Sequence, residues 1–220
     1  MNFYLISPPR FSKKFNLKTL YNLSKILKID CLQLRPKYNS KRENMDFIKK
    51  YFSIFRNFCT ENNIFFIINN NLELVKKMGF DGVHLGQSDE KCEKARYLLG
   101  PKYQIGISCQ NSIELSLKAK KEGANYVAFG PVHKSKTKKN NRKYLDLEFI
   151  KKNEKKIPLP YTLIGGISHK EIPSFKDIKP KNIAVINSIW NFREGPIESA
   201  KKYKELIKKY SKGGENENEC

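Results

Sequence analysis

The sequence predicts a single (β/α)8 TIM barrel. Three observations point to it: eight short, nearly continuous apolar or β-branched runs, helical periodicity between them, and 220 residues with no internal break. Strands covered on both faces read as unbroken apolar runs rather than alternating ones, as in parallel sheets. Strict alternation of strand and helix implies such a sheet, and eight repeats within about 210 residues fit closure into a barrel better than an open doubly wound sheet.

The eight runs are residues 3–6, 31–34, 65–68, 82–85, 104–107, 126–129, 162–164 and 183–186, none with an internal proline. After the first run, Leu17, Leu20, Tyr21 and Leu27 share one face of a helix. Asn111, followed three residues later by Glu114, is a helix-start signature ahead of Leu115 and Leu117. Ala200, Tyr203, Leu206, Ile207 and Tyr210 line one side of the last helix. No Pro/Gly-rich linker or charge boundary divides the chain, so residues 1–210 are expected to form one barrel domain. The polar, aperiodic stretch 211–220 is expected to be a disordered tail.

Lys and Arg number 43 against 22 Asp and Glu, a net charge of +21, which raises the question of a nucleic-acid or membrane partner. The charge is spread rather than clustered, with lysine pairs at 13–14, 49–50, 76–77, 120–121, 151–152 and 208–209 on exposed helix faces. That pattern reads as a solvated surface, and Phe65, Phe66 and Tyr126 sit in strand runs where core packing explains them. A basic nucleic-acid-binding protein is therefore the least favoured reading. No stretch approaches the ~18 apolar residues that span a bilayer, and the first residues lack the basic and apolar regions of a leader. A soluble, cytoplasmic protein with no membrane partner is expected. Cys31, Cys59, Cys92, Cys109 and Cys220 stand singly, which fits a reducing compartment better than a disulfide framework or structural zinc.

In such a barrel the active site is built from loops at the carboxyl ends of the strands, and the chemically distinctive residues fall there. In chain order they are Gln33, Arg35 and Lys37; Asn69, Asn70 and Asn71; His84, Gln87 and Asp89; Ser108 and Gln110; the loop from Gly130 to Lys138; Gly165 and Gly166; and Asn187 with Ser188. Arg35, Lys37 and Lys138 place three cations around one mouth, while Ser135, Thr137 and the Gly165-Gly166 backbone can hydrogen-bond phosphate oxygens. A polyanionic substrate follows. Each piece has a plainer alternative. The glycine pair can be an ordinary tight turn, residues 134–143 an ordinary mobile loop, Asp89 a helix N-cap and His84 a hydrogen-bonded core residue. Convergence of several polar clusters on one end of one barrel favours the functional reading.

The ordered set Gln33-Leu34-Arg35-x-Lys37, Phe66-Ile-Ile-Asn69, Asp81-Gly-Val-His-Leu-Gly-Gln-x-Asp89, Gly106-Ile-Ser108, Gly130-Pro131, Thr137-Lys138 and Ile164-Gly-Gly-Ile167 resembles the thiamine phosphate synthase (thiamine-phosphate pyrophosphorylase) family across nearly the whole chain. The resemblance implies a Mg²⁺-dependent joining of 4-amino-2-methyl-5-hydroxymethylpyrimidine diphosphate to a thiazole phosphate, giving thiamine phosphate and diphosphate. It also implies that the diphosphate leaves first and that the thiazole nitrogen captures the resulting cation. By that resemblance Gln33, Arg35, Lys37 and Asn69 hold the pyrimidine diphosphate, and Ser108 contacts the diphosphate. Lys138 steadies the leaving group, and Asn70 and Asp89 occupy the magnesium positions. Ser135, Thr137, Gly166, Ile186 and Asn187 surround the thiazole phosphate. Arg35, Ser108 and Lys138 are the expected catalytic residues.

The chain departs from the family pattern in several places: Asn70 replaces an Asp, Gln110 a His, Asn187 a Ser and Ser135 a Thr, and the Pro8-Pro9 turn is unusual. A thiazole tautomerase-like or inactive relative on the same barrel is the main alternative. The tautomerases use a His where Gln110 stands, and Gln cannot titrate near neutral pH.

Overall fold

The computed structural model describes residues 1–133 and 144–211. Eight strands, β1 (Asn2–Ile6), β2 (Ile29–Leu34), β3 (Phe65–Asn69), β4 (Gly82–Leu85), β5 (Gln104–Gln110), β6 (Tyr126–Phe129), β7 (Tyr161–Ile164) and β8 (Asn182–Val185), pair parallel in sequence order, and β8 closes on β1. Helices α1 (Leu17–Ile26), α2 (Lys41–Glu61), α3 (Leu72–Met78), α4 (Cys92–Leu99), α5 (Ile113–Lys121), α6 (Leu147–Asn153), α7 (Asn187–Trp190) and α8 (Pro196–Ser211) form the outer layer. A 3-10 segment, His169–Phe175, stands between β7 and β8. The tail expected from 211 onward lies outside the described residues except for Ser211, the last residue of α8.

Short polar side chains start the helices. Asn16, Ser40, Asn71, Ser112 and Asp146 each precede a helix and accept from a backbone N–H of its first turn, satisfying donors that have no partner within the helix. Ser112, not Asn111, caps α5, and its hydroxyl also donates to Glu114. On α1 the buried side is Leu20 and Leu23, continued by Leu27 beyond the helix end. Leu17 and Tyr21, expected on that face, are exposed because the buried stripe follows the i, i+3, i+7 spacing from Leu20. Leu117 and Phe65 are also exposed, the latter because it opens β3 at the amino end of the barrel. Ile186 lies just beyond β8, at the turn into α7.

Alternation along the strands divides the apolar residues between two cores. The outer one lies between sheet and helices and holds large aromatics, among them Phe15, Phe47, Phe55, Phe66, Phe80 and Trp190. The inner one is thin: Tyr4, Ile6, Cys31, Ile67 and Ala184, with Tyr126, Ile164 and Ile186 packed on it. Tyr126 reaches across the inner space to Gly106. Its ring occupies the place a side chain at Gly106 would take, so that a Cβ there would run into ring atoms of Tyr126. Cys31, Cys59, Cys92 and Cys109 are all buried as free thiols. Burial pushes Cys59 up to about 12 and Cys92 to about 11, which keeps them protonated and unreactive. Among the described residues no helix is long and apolar enough to cross a membrane.

Gly106→Ala should therefore lower stability by about 1–3 kcal/mol, the usual cost of overpacking a filled core. Urea denaturation measures it, and an unchanged midpoint would contradict this packing of Tyr126.

Candidate active site

The mouth of the barrel is built outward from the β1 and β2 ends. Ser7, fully buried just after β1, donates its N–H to the Gln33 carbonyl, and its Oγ accepts from Arg35 N at 2.9 Å. The Pro9 carbonyl accepts from Lys37 N, so the unusual Pro8-Pro9 turn helps to hold the strand-2 segment. Partial burial pulls the Arg35 guanidinium below its ordinary pKa, opposed by the charge of Asp89. Lys37 is also held below the usual lysine range, first by burial and then by Arg35 beside it. A proton leaves these cations more readily than usual, a state that a phosphate would reverse.

Each of the three consecutive asparagines has its own position. Asn69 ends β3 in register with His84 of β4. Asn70 adopts a left-handed backbone (φ 60°) and donates its N–H to the His84 carbonyl; Asn is among the residues that tolerate this conformation best. Asn71 caps α3 through its side chain. Arg35, Lys37, Tyr38, Asn44, Asn69 and Asn70 line one cavity of about 500 Å³, large enough for a small phosphorylated molecule.

Inside the barrel a hydrogen-bonded chain reaches the mouth. Gln33 Nε2 donates to Tyr4 Oη (3.1 Å), Tyr4 Oη meets Tyr126 Oη (2.9 Å), Tyr126 Oη meets His84 Nδ1 (3.1 Å), and His84 Nε2 meets Ser108 Oγ (3.0 Å). Burial pushes both tyrosine hydroxyls well above their ordinary pKa, so they act as neutral donors and acceptors. The Gln33 amide nitrogen can only donate, so Tyr4 Oη accepts from it; the hydroxyls and the imidazole beyond Tyr4 both donate and accept, and the Tyr4–Tyr126, Tyr126–His84 and His84–Ser108 bonds can run in either direction. His84 is thus both a core residue and the support of Ser108. Gln87 Nε2 adds a bond to the Ser108 carbonyl (2.6 Å).

Asp89 does not cap α4; Lys91 occupies that position. Its Oδ2 instead accepts from Gly86 N at 2.6 Å, folding the β4 loop back on itself. Among the described residues no group of three or more His, Cys, Asp or Glu could hold a metal ion. The donors available are the Asp89 carboxylate and the Asn70 amide oxygen after adjacent strands. That set fits Mg²⁺ only where phosphate oxygens and waters complete its shell, the usual manner in which this cation meets proteins.

On the far side, Val132 N donates to the Ile164 carbonyl and His133 N to that of Gly165, so the start of the β6 loop lies flat on the β7 turn. Gly165 and Gly166 have φ of 98° and 70°, and a Cβ on either would strike Pro131 or His133. Close approach alone accounts for glycine here. It does not exclude a phosphate contact, because Gly166 remains exposed. Ile186 and Asn187 form the turn into α7 next to it in strand order. Gln110 is exposed at the end of β5 with φ of 54°, beyond a register shift after Ser108. Ser135, Thr137 and Lys138, with the rest of the basic loop, lie outside the described residues. The structure therefore gathers Arg35, Lys37, Asn69 and Asn70 at one cavity and joins Gln33 to Ser108 through the interior. Tyr4 and Ser7 carry no motif in the sequence, and Tyr126 reads there only as a core residue of its strand. Their signal was the period-two alternation that puts Tyr4 and Tyr126 on the same inward face as Gln33, His84 and Ser108.

Residues 3–189 match the family model described as thiamine monophosphate synthase. The chain belongs to the thiamine monophosphate synthase family. It is 37% identical over 183 residues to the thiamine-phosphate synthase of Wolinella succinogenes, covering 83% of this chain and 81% of that protein. It is 36% identical over 203 residues to that of Pelagibacter ubique, covering 91% and 95%. The fold is similar to a solved thiamine phosphate pyrophosphorylase from Pyrococcus furiosus, with a TM-score of 0.76 at 21% identity and 96% of each chain covered. That family's barrel is therefore the one seen here, with the (β/α)8 closure expected from the sequence.

Tyr126→Phe keeps the ring that reaches across the barrel and removes the hydroxyl between Tyr4 and His84. Leaving buried partners without it should cost about 1–3 kcal/mol of stability. Turnover should fall as well, because Ser108 loses the support of an oriented His84; chemical denaturation and steady-state rates measure both.

Proposed function

We propose that this protein is a thiamine phosphate synthase, joining the hydroxymethylpyrimidine diphosphate to a thiazole phosphate with release of diphosphate. The observation that carries the reading is the gathering of Arg35, Lys37, Asn69 and Asn70 at one cavity on the mouth of a barrel belonging to this family. Its substrates are small molecules; a lysine surface spread over most helices rather than clustered on one face gives no preference for nucleic acid. Buried, unreactive cysteines are in keeping with the cytoplasm.

In this reading Gln33 and Asn69 orient the pyrimidine, and Arg35 takes two diphosphate oxygens through its planar fork. Lys37, Lys138 and the Ser108 hydroxyl add donors where charge grows as the C–O bond to diphosphate breaks. The bonding pair leaves with the diphosphate, and the pyrimidinylmethyl cation is captured by the lone pair of the thiazole nitrogen, forming the new C–N bond. Ser135, Thr137, Gly166, Ile186 and Asn187 hold the thiazole phosphate so that its nitrogen, rather than water, is the nearest nucleophile. Asn70 and Asp89 would hold Mg²⁺, which when bound would supply charge neutralisation to the leaving group. Gln110, exposed and without a titratable proton, disfavours the tautomerase alternative, in which an acid/base group is needed at that position.

Incubating the purified protein with both substrates and Mg²⁺ should yield thiamine phosphate and diphosphate together, measured by chromatography. Release of neither product would set the reading aside.

A magnesium titration of initial rate separates the metal positions from the rest. Asn70→Asp should lower the magnesium concentration for half-maximal rate by up to about tenfold, since Asp shares Asn's tolerance of the left-handed backbone and adds an anionic oxygen. An unmoved or raised midpoint would place Asn70 outside the metal's shell.

A further inference from the structure

Behind the β7 and β8 turns lies a second polar cluster, away from the reacting atoms. His169 opens the 3-10 segment that follows the glycine turn and is nearly buried, with its ring against those of Tyr203 (centroids 4.1 Å apart) and Phe192 (5.0 Å). Its Nε2 lies 3.0 Å from the Ser199 carbonyl oxygen and 3.1 Å from Ser199 Oγ. A carbonyl only accepts, so Nε2 carries the proton. Burial holds the imidazole below the ordinary histidine range, with Lys202 acting in the same direction and Glu171 against it, which keeps this ring neutral in one tautomer.

The chain of contacts continues into α7. Ser199 Oγ donates to the Ser188 carbonyl at 2.6 Å, and Tyr203 Oη donates to Ser188 Oγ at 2.8 Å. Ser199 and Tyr203 lie one turn apart on α8 and are fully buried. Ser188, the residue after Asn187, is thus gripped at both its backbone and its side chain. The β7 turn is tied to the same helix through His169. None of these three residues belongs to the site described above.

We propose that His169, Ser199 and Tyr203 are positioning residues for the phosphate of the thiazole substrate. They fasten the Gly165-Gly166 turn and the Ile186-Asn187 turn to one helix, so that the two halves of the pocket keep a fixed relation. The proposal rests on the synthase reading of the preceding subsection. An unfastened turn must be ordered by the incoming phosphate, and that cost appears in binding of this substrate alone.

The test measures KM for each substrate with the other saturating, and calorimetric binding of the thiazole phosphate by itself, in wild type, Tyr203→Phe and Ser199→Ala. Each variant removes one hydroxyl and should raise KM and Kd for the thiazole phosphate by about 3- to 10-fold, the usual weight of one buried hydrogen bond, with KM for the pyrimidine diphosphate unchanged. His169→Ala should do the same, while His169→Gln, whose amide N–H can still reach Ser199, should restore wild-type values. Lower melting temperatures with both KM values unchanged, or equal rises in both, would overturn the proposal and leave the cluster a purely structural one. If wild type forms no thiamine phosphate but binds the thiazole phosphate more tightly than the variants do, the synthase reading falls and the positioning role stands. If wild type does not bind it at all, both fall.

Discussion

The ring of Tyr126 lies across the inside of the barrel, and much of the site depends on it. Its bulk takes the place of side chains that the glycine at 106 lacks, and its hydroxyl is the midpoint between Tyr4 and His84. A barrel interior packed only with branched aliphatics would be as stable but would offer the mouth nothing to orient its polar residues. Here polar atoms are buried in series, each bonded to the next from Gln33 to Ser108.

The same economy holds at the rim, where backbone groups set side-chain positions. Ser7 fixes Arg35 by its main chain, leaving the guanidinium free of that bond, and the Pro9 carbonyl does likewise for Lys37. Trp190 Nε1 donates to the Ile6 carbonyl at 2.7 Å, tying α7 to the end of β1. The β8 end is thereby coupled to the β1 end across the closure of the barrel. Turns on either side of the mouth are thus held by buried side chains.

Departures from the family pattern acquire physical content in this frame. Asn70 sits in a left-handed conformation that few residue types accept, so its replacement of Asp respects the backbone while removing a charge. Gln110 also has a positive φ but is exposed, where its side chain has no partner to satisfy within the core. The Pro8-Pro9 turn, which looked foreign to the family, is the element that braces Lys37.

Strand positions and barrel closure were legible in the residues themselves, because eight buried strands need eight continuous apolar runs. That Arg35, Lys37, Asn69 and Asn70 would come together was legible too, since they follow the ends of the neighbouring strands β2 and β3. Local pattern was less reliable at helix ends and faces. Ser112 rather than Asn111 caps α5, and Leu17 and Tyr21 face solvent, because a one-residue shift in phase leaves composition unchanged but rotates a helix by 100°. What only the tertiary structure decided were contacts between residues far apart in sequence. His84 is bonded to Tyr126, 42 positions away, Gln33 to Tyr4, and His169 to Ser199, 30 positions away. Such pairings are set by barrel closure and by which ring crosses the interior, and no short stretch of chain contains the information that brings them together.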